Sequence, residues 1–93
     1  MDSKIEFELY TRPTCSDCQD AKAYMEANKI PYTSKDVGQH PELEAEMIKI
    51  SGNRIVPLFA FYKKGLLGRK KLVNHFIGFE NNKEEILSLI ESR

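Results

Sequence analysis

Cys15 and Cys18 are the only cysteines of the 93-residue chain, and they stand as Cys15-Ser16-Asp17-Cys18 just after an apolar, strand-like run from Ile5 to Tyr10. Two sulfurs at this spacing can bridge without backbone movement. A pair that opens a helix also places one of them where unpaired N–H groups and the helix dipole favour the thiolate. These are the requirements of thiol-disulfide exchange, in which one thiolate attacks a disulfide and a second resolves the mixed disulfide that forms. The order assigns attack to Cys15 and resolution to Cys18, one turn deeper. Arg12 is expected nearby, lowering the pKa of Cys15, whereas Asp17 inside the motif opposes that effect.

Other uses of the pair fit less well. Zinc ordinarily takes four ligands, and the rest would have to come from His40 and His75, which do not fall in a His-x₃₋₅-His spacing. No metal site is therefore expected. A purely structural disulfide across so short a loop would stabilise little, because the loop-closure effect grows with loop length.

The sequence reads as one small domain spanning 1–93, with an ordinary 41% hydrophobic content. Fourteen lysines and arginines balance fourteen acidic residues, so the formal net charge is zero and neither a nucleic-acid partner nor an anionic membrane is indicated. No apolar stretch is long enough to span a bilayer, and Met1-Asp2-Ser3-Lys4 lacks the apolar region of a signal peptide. The expectation is a cytoplasmic monomer in a reducing compartment, where a Cys-x-x-Cys is more often redox-active than structural.

The elements around the cysteines alternate. Ile5, Phe7 and Leu9 alternate with Glu6 and Glu8, predicting a first strand. A helix follows over Ser16 to Asn28 with Thr14 as its cap, Pro31 ends it, and Tyr32 to Val37 is a short second strand. Pro41, Glu42 and Glu44 open a second helix with Leu43, Met47 and Ile50 on its apolar face, closed by Ser51-Gly52-Asn53. Val56 to Tyr62 is an apolar, central strand, and Lys63-Lys64-Gly65 leads by a hairpin into Lys71 to Ile77. Asn82 then opens a last helix, with Glu85 completing an approximate capping box and Ile86, Leu89 and Ile90 facing inward. The predicted fold is α/β with order β-α-β-α-β-β-α, a parallel first pair and a later antiparallel hairpin.

Pro57 stands at the head of a strand that should be central, where proline is out of place without a special reason. If that strand runs antiparallel to the first, its beginning lies beside the end of the first strand, next to Cys15. A cis Val56–Pro57 bond there would leave the Val56 backbone free to pair with a substrate strand. A trans proline would merely mark the strand start.

Three segments taken in order resemble the signature regions of glutaredoxins and glutaredoxin-like redoxins. They are Tyr10-Thr11-Arg12-Pro13-Thr14-Cys15-Ser16-Asp17-Cys18, Gly52-Asn53-Arg54-Ile55-Val56-Pro57 and Ile77-Gly78-Phe79-Glu80-Asn81-Asn82. The resemblance covers nearly the whole chain. It implies a thioredoxin fold, a four-stranded mixed sheet flanked by three helices, and reduction of protein disulfides or glutathione mixed disulfides through Cys15 and Cys18. It further implies no tightly bound cofactor, with glutathione as electron donor or co-substrate. Carried over by position, Arg12 would meet a glutathione carboxylate, Val56 would be the backbone clamp and Pro57 the cis-proline. Asn81 and Asn82 would hold the other end of glutathione, and Arg54 would add a second cation. Arg54 reads equally as a solvated side chain, and Asn82 equally as a helix cap.

The chain also departs from the family pattern. Ser16-Asp17 replaces the common Pro-Tyr, Phe79 replaces a second glycine, and Asn82 stands where an aspartate often serves the glutathione amino group. A bulky side chain and a lost ion pair would both weaken glutathione binding, the latter by about 1.5–3 kcal/mol. The Gly-Phe pattern is similar to that of redoxins that take electrons from thioredoxin reductase. Two alternatives to the oxidoreductase remain: an iron-sulfur cluster held between two subunits through Cys15 and external thiols, or an adaptor, which would need neither cysteine. The basic hairpin with Lys63, Lys64, Arg69, Lys70 and Lys71 is expected at the sheet end opposite the cysteines, discouraging edge pairing.

Overall fold

The computed structural model describes residues 5–64 and 70–91. Its elements are β1 (Ile5–Thr11), α1 (Ser16–Ala27), β2 (Thr33–Asp36), α2 (Pro41–Ser51), β3 (Leu58–Lys64), β4 (Lys70–Ile77), a 3₁₀ turn (Glu80–Asn82) and α3 (Lys83–Glu91). The strands lie side by side as β2-β1-β3-β4, with β1 and β2 parallel and the β1–β3 and β3–β4 pairs antiparallel. This is the four-stranded mixed sheet of the thioredoxin fold, and the order of elements is the one expected from the sequence. The tip of the basic hairpin, including Arg69, lies outside the described residues. Its bases, Lys64 and Lys70, pair at the end of β3 remote from Cys15.

Alternation along β1 divides the core in two. Phe7 and Leu9 point to one face and pack with Phe59 and Phe61 of β3, Ala21 and Met25 of α1, and Ile86 and Ile90 of α3. Tyr10 points to the other face, where Met47 of α2, Val37, Leu58 and Ala60 form the second cluster. Period-two side chains on a strand make both faces available, so a sheet covered on both sides needs strands apolar on both sides. β3 satisfies this with Leu58, Phe59, Ala60 and Phe61, all fully buried.

Element boundaries carry the local chemistry expected of them. Pro41 occupies the first turn of α2, and Gly52 ends that helix with φ of 84°, its N–H donating to Ile48 O at 2.7 Å. Two sequence expectations are corrected. Thr14 does not cap α1: the helix begins at Ser16, so the capping position falls to Cys15. Asn82 does not open α3 in a capping box either. It closes the 3₁₀ turn immediately before that helix, and its side-chain amide turns back to donate to the Ile77 and Gly78 carbonyls.

Candidate active site

β1 ends at Thr11 and β3 begins at Leu58, with Tyr10 opposite Leu58, so the two segments flanking these strand ends meet. One segment carries Cys15 and Cys18, joined as a disulfide with 5.2 Å between Cα atoms. The other carries Val56 and Pro57, and the bond between them is cis. Cys15 Sγ lies 3.8 Å from the Val56 carbonyl oxygen, which places the disulfide directly against this backbone.

The two sulfurs occupy different environments. Cys18 is completely buried, whereas Cys15 is partly exposed at the head of α1. The Cys18 N–H donates to Cys15 Sγ at 3.1 Å, so the sulfur itself serves as the helix cap. A backbone donor and the positive end of a helix dipole both stabilise negative charge on that atom, which is the condition for a reactive thiolate. Of the two sulfurs, Cys15 Sγ is the accessible one and Cys18 Sγ the enclosed one.

The remaining predicted site residues divide into those the fold has already engaged and those it leaves open. Arg12 forms an ion pair with Glu44 of α2, so its charge is largely offset rather than free to act on Cys15. Asn82 Nδ2 donates to the carbonyls of Ile77 at 2.7 Å and Gly78 at 3.1 Å, tying off the end of β4. Arg54 and Asn81 are exposed. Val56 is half-buried beside the disulfide, and the Pro57 carbonyl accepts from Gly78 N–H at 2.8 Å.

Phe79, the bulky residue in place of a second glycine, turns into the core. Gly78 adopts φ of 94°, a conformation that side-chain-bearing residues rarely take, and Phe79 after it is 4% exposed. Its ring stacks on Phe59 at 5.8 Å and lies 5.8 Å from that of Tyr24, so the side chain is a core element. Its bulk is therefore taken up by the core rather than presented at the surface.

One contact at the site has no sequence signature. Asp17 Oδ2 accepts from Phe79 N–H at 2.8 Å, joining the disulfide turn to a residue 62 positions away. An aspartate in the first turn of a helix is read from sequence as a favourable dipole partner, and nothing in the spacing points to a distant N–H. The Gly78–Phe79 segment is thus held by Asp17, by the Pro57 carbonyl and by the Asn82 side chain.

This architecture places the chain among thioredoxin-fold proteins. The thioredoxin of Plasmodium falciparum superposes with a TM-score of 0.72 at 20% identity, over 96% of this chain and 72% of that one. Glutaredoxin 1 of Francisella tularensis gives 0.51 at 22% identity, over 91% and 99%. The sequence narrows the class further, because the glutaredoxin family model matches residues 7–60, more than half of the chain. The chain belongs to the glutaredoxin family. Among curated proteins it is similar to the global transcriptional regulator Spx 1 of Bacillus cereus, 44% identical over 41 residues. That match takes in 44% of this chain and 30% of the relative, so the chain spans less than a third of the length of the curated relatives it matches.

Proposed function

We propose that this protein is a dithiol thiol-disulfide oxidoreductase that reduces protein disulfides or glutathione mixed disulfides through Cys15 and Cys18. The observation that carries the reading is the asymmetry of the pair. Cys15 Sγ is partly exposed, capped by a backbone N–H and set against the Val56 carbonyl, while Cys18 is enclosed. In the reduced protein the Cys15 thiolate attacks a substrate disulfide, forms a mixed disulfide and expels the substrate's other sulfur as a thiolate. The Cys18 thiolate then attacks Cys15 Sγ, the second substrate thiolate leaves, and the Cys15–Cys18 disulfide is restored. Two electrons pass from the dithiol to the substrate, and an external thiol must return them.

Glutathione and thioredoxin reductase are the two electron donors this reading admits. An exposed Arg54 and an inward-facing Phe79 favour glutathione. The pairing of Arg12 with Glu44 and the engagement of Asn82 with backbone carbonyls leave it fewer partners. The group offered for substrate contact is the Val56 backbone, with the exposed Arg54 and Asn81 at the margins, whereas Pro57 is fully buried and its carbonyl is engaged by Gly78 N–H. No helix among the described residues is long and apolar enough to cross a membrane, and action in a reducing, cytoplasmic compartment is part of the proposal.

Oxidised protein should be reduced in an NADPH-coupled assay through glutathione and glutathione reductase, through thioredoxin reductase, or through both. Turnover in at least one arm supports the reading, and its distribution names the donor. Absence of turnover in both arms, with the disulfide intact by mass, would remove it.

A further inference from the structure

Between Glu46 and Glu80 the chain has seven basic residues and no acidic one, although its formal net charge is zero. The fold gathers four of those seven in one place. In the β3–β4 ladder Lys63 stands directly opposite Lys71, and Lys64 opposite Lys70, at the sheet end remote from Cys15. Like charges facing each other across antiparallel strands repel, so this arrangement costs stability instead of adding it. Lys70 is neutralised by Glu8 at 2.7 Å, whereas Lys63, Lys64 and Lys71 are exposed and form no ion pair among the described residues. Glu6, on β1 opposite Tyr62, makes none with them either. β4 is the outer strand of the sheet, paired with β3 on one side and with no described strand on the other. Lys70 to His75 are exposed along it, including Leu72 at 36% and Val73 at 45%. An irregularity in the register beside Tyr62 leaves Val73 with no opposite residue on β3.

We propose that the open edge of β4, together with Lys63, Lys64 and Lys71, is a docking surface for an extended acidic segment of a partner protein. A strand added along β4 makes main-chain hydrogen bonds to its unpaired edge. Carboxylates on that strand offset the opposed lysines, and its apolar side chains cover Leu72 and Val73. The same lysines disfavour pairing of two β4 edges, where like charges would meet, so the surface selects an acidic strand over a second copy of this chain. Protection of the edge does not by itself account for Lys63 and Lys64, which stand on the interior strand β3. Duplex nucleic acid is a poorer fit, because the chain is neutral overall and the surface is a strand edge. The surface lies away from the disulfide and goes beyond the oxidoreductase reading without depending on it. A partner held there leaves Cys15 open.

The test titrates a labelled peptide of alternating glutamate and valine into the protein at low ionic strength, with a lysine–valine peptide of equal length as charge control. The expected result is saturable binding of the acidic peptide only, with shifts of backbone amide resonances concentrated at Lys70 to His75. The double variant Lys63→Gln, Lys71→Gln should bind about three- to tenfold more weakly, because two exposed charge pairs are lost. Its urea midpoint should not fall, since an opposed pair of like charges has been removed. Physiological salt should weaken binding to the unaltered protein by a similar factor, a readout that does not need the variant. Absence of binding at low salt, equal binding of both peptides, or resonance shifts that bypass β4 would overturn the proposal. Anionic vesicles or duplex DNA bound in preference to the acidic peptide would overturn it equally. The coupled assay is a separate measurement, so none of these outcomes bears on the oxidoreductase reading.

Discussion

Glu8 and Cys15 lie seven residues apart on one segment of chain, yet the polar groups around them are organised in opposite ways. Glu8, 8% exposed on the α2 face of β1, is surrounded by partners. Lys70 reaches it at 2.7 Å from β4 and Lys35 at 3.1 Å from β2, while Lys35 also pairs with Glu46 of α2 at 3.2 Å. The Tyr10 hydroxyl donates to Glu46 at 3.0 Å, and the ammonium groups of Lys35 and Lys70 lie over the rings of Tyr10 and Tyr62 at 5.3 and 4.7 Å. Around Cys15 there is one donor to sulfur, one neighbouring carbonyl and a single fixed carboxylate. A saturated network spends its interactions on holding five elements together, whereas a sparsely partnered, partly exposed sulfur is left available to react.

The contrast is broken most sharply by substitution at the two centres. Cys15→Ser should abolish exchange altogether with a near-normal urea midpoint. Glu8→Ala should leave the exchange rate within about twofold. It should cost roughly 1–2 kcal/mol of stability, because two partly exposed ammonium groups, Lys35 and Lys70, lose their shared and mostly enclosed carboxylate. Equilibrium urea unfolding and the coupled assay, run on both variants, check the two halves. If Glu8→Ala lost exchange while remaining folded, the division of labour would be wrong.

Removing the tie at the end of β4 should have an intermediate effect. Asn82→Ala leaves the Ile77 and Gly78 carbonyls without their side-chain donor and should lower stability by about 1–2 kcal/mol. The Gly78–Phe79 segment would remain held by Asp17 and Pro57, so thiol reactivity at Cys15 should change by less than about threefold, measured by alkylation rate.

Acid titration sharpens the comparison further. Burial pushes the Glu8 carboxyl up, but hydrogen bonds and charge from Lys70 and Lys35 outweigh it, and the pKa falls below the ordinary 4.5. A depressed folded-state pKa contributes stability that is fully present above the unfolded value and lost as pH falls through the folded one. The urea midpoint should therefore decline below about pH 4.5 more steeply in the unaltered protein than in Glu8→Gln. Parallel acid limbs for the two would contradict the assignment of Glu8.

Much of this was legible in the sequence, and the reason is that the legible parts are local. Period-two alternation marked β1, the four consecutive apolar residues from Leu58 to Phe61 marked the central β3, and Pro41 and Gly52 bracketed α2. The cysteine spacing and the proline before β3 announced the site, because antiparallel pairing of β1 with β3 was enough to bring them together. Contacts between side chains and distant partners were not legible. Arg12 with Glu44, Asp17 with Phe79 N–H and the Glu8 network all depend on how three-dimensional neighbours are distributed, and no spacing encodes them. Phe79 illustrates the same limit in reverse: its type was read correctly, but its direction depended on the backbone of Gly78.

The central claim, that Cys15 attacks and Cys18 resolves, is tested most directly by incubating reduced Cys18→Ser with a disulfide-bonded peptide and measuring the mass and location of the covalent adduct. A stable mixed disulfide on Cys15, absent from Cys15→Ser, is the predicted result. No adduct on Cys15, or an equivalent adduct formed at Cys18 in Cys15→Ser, would contradict the account.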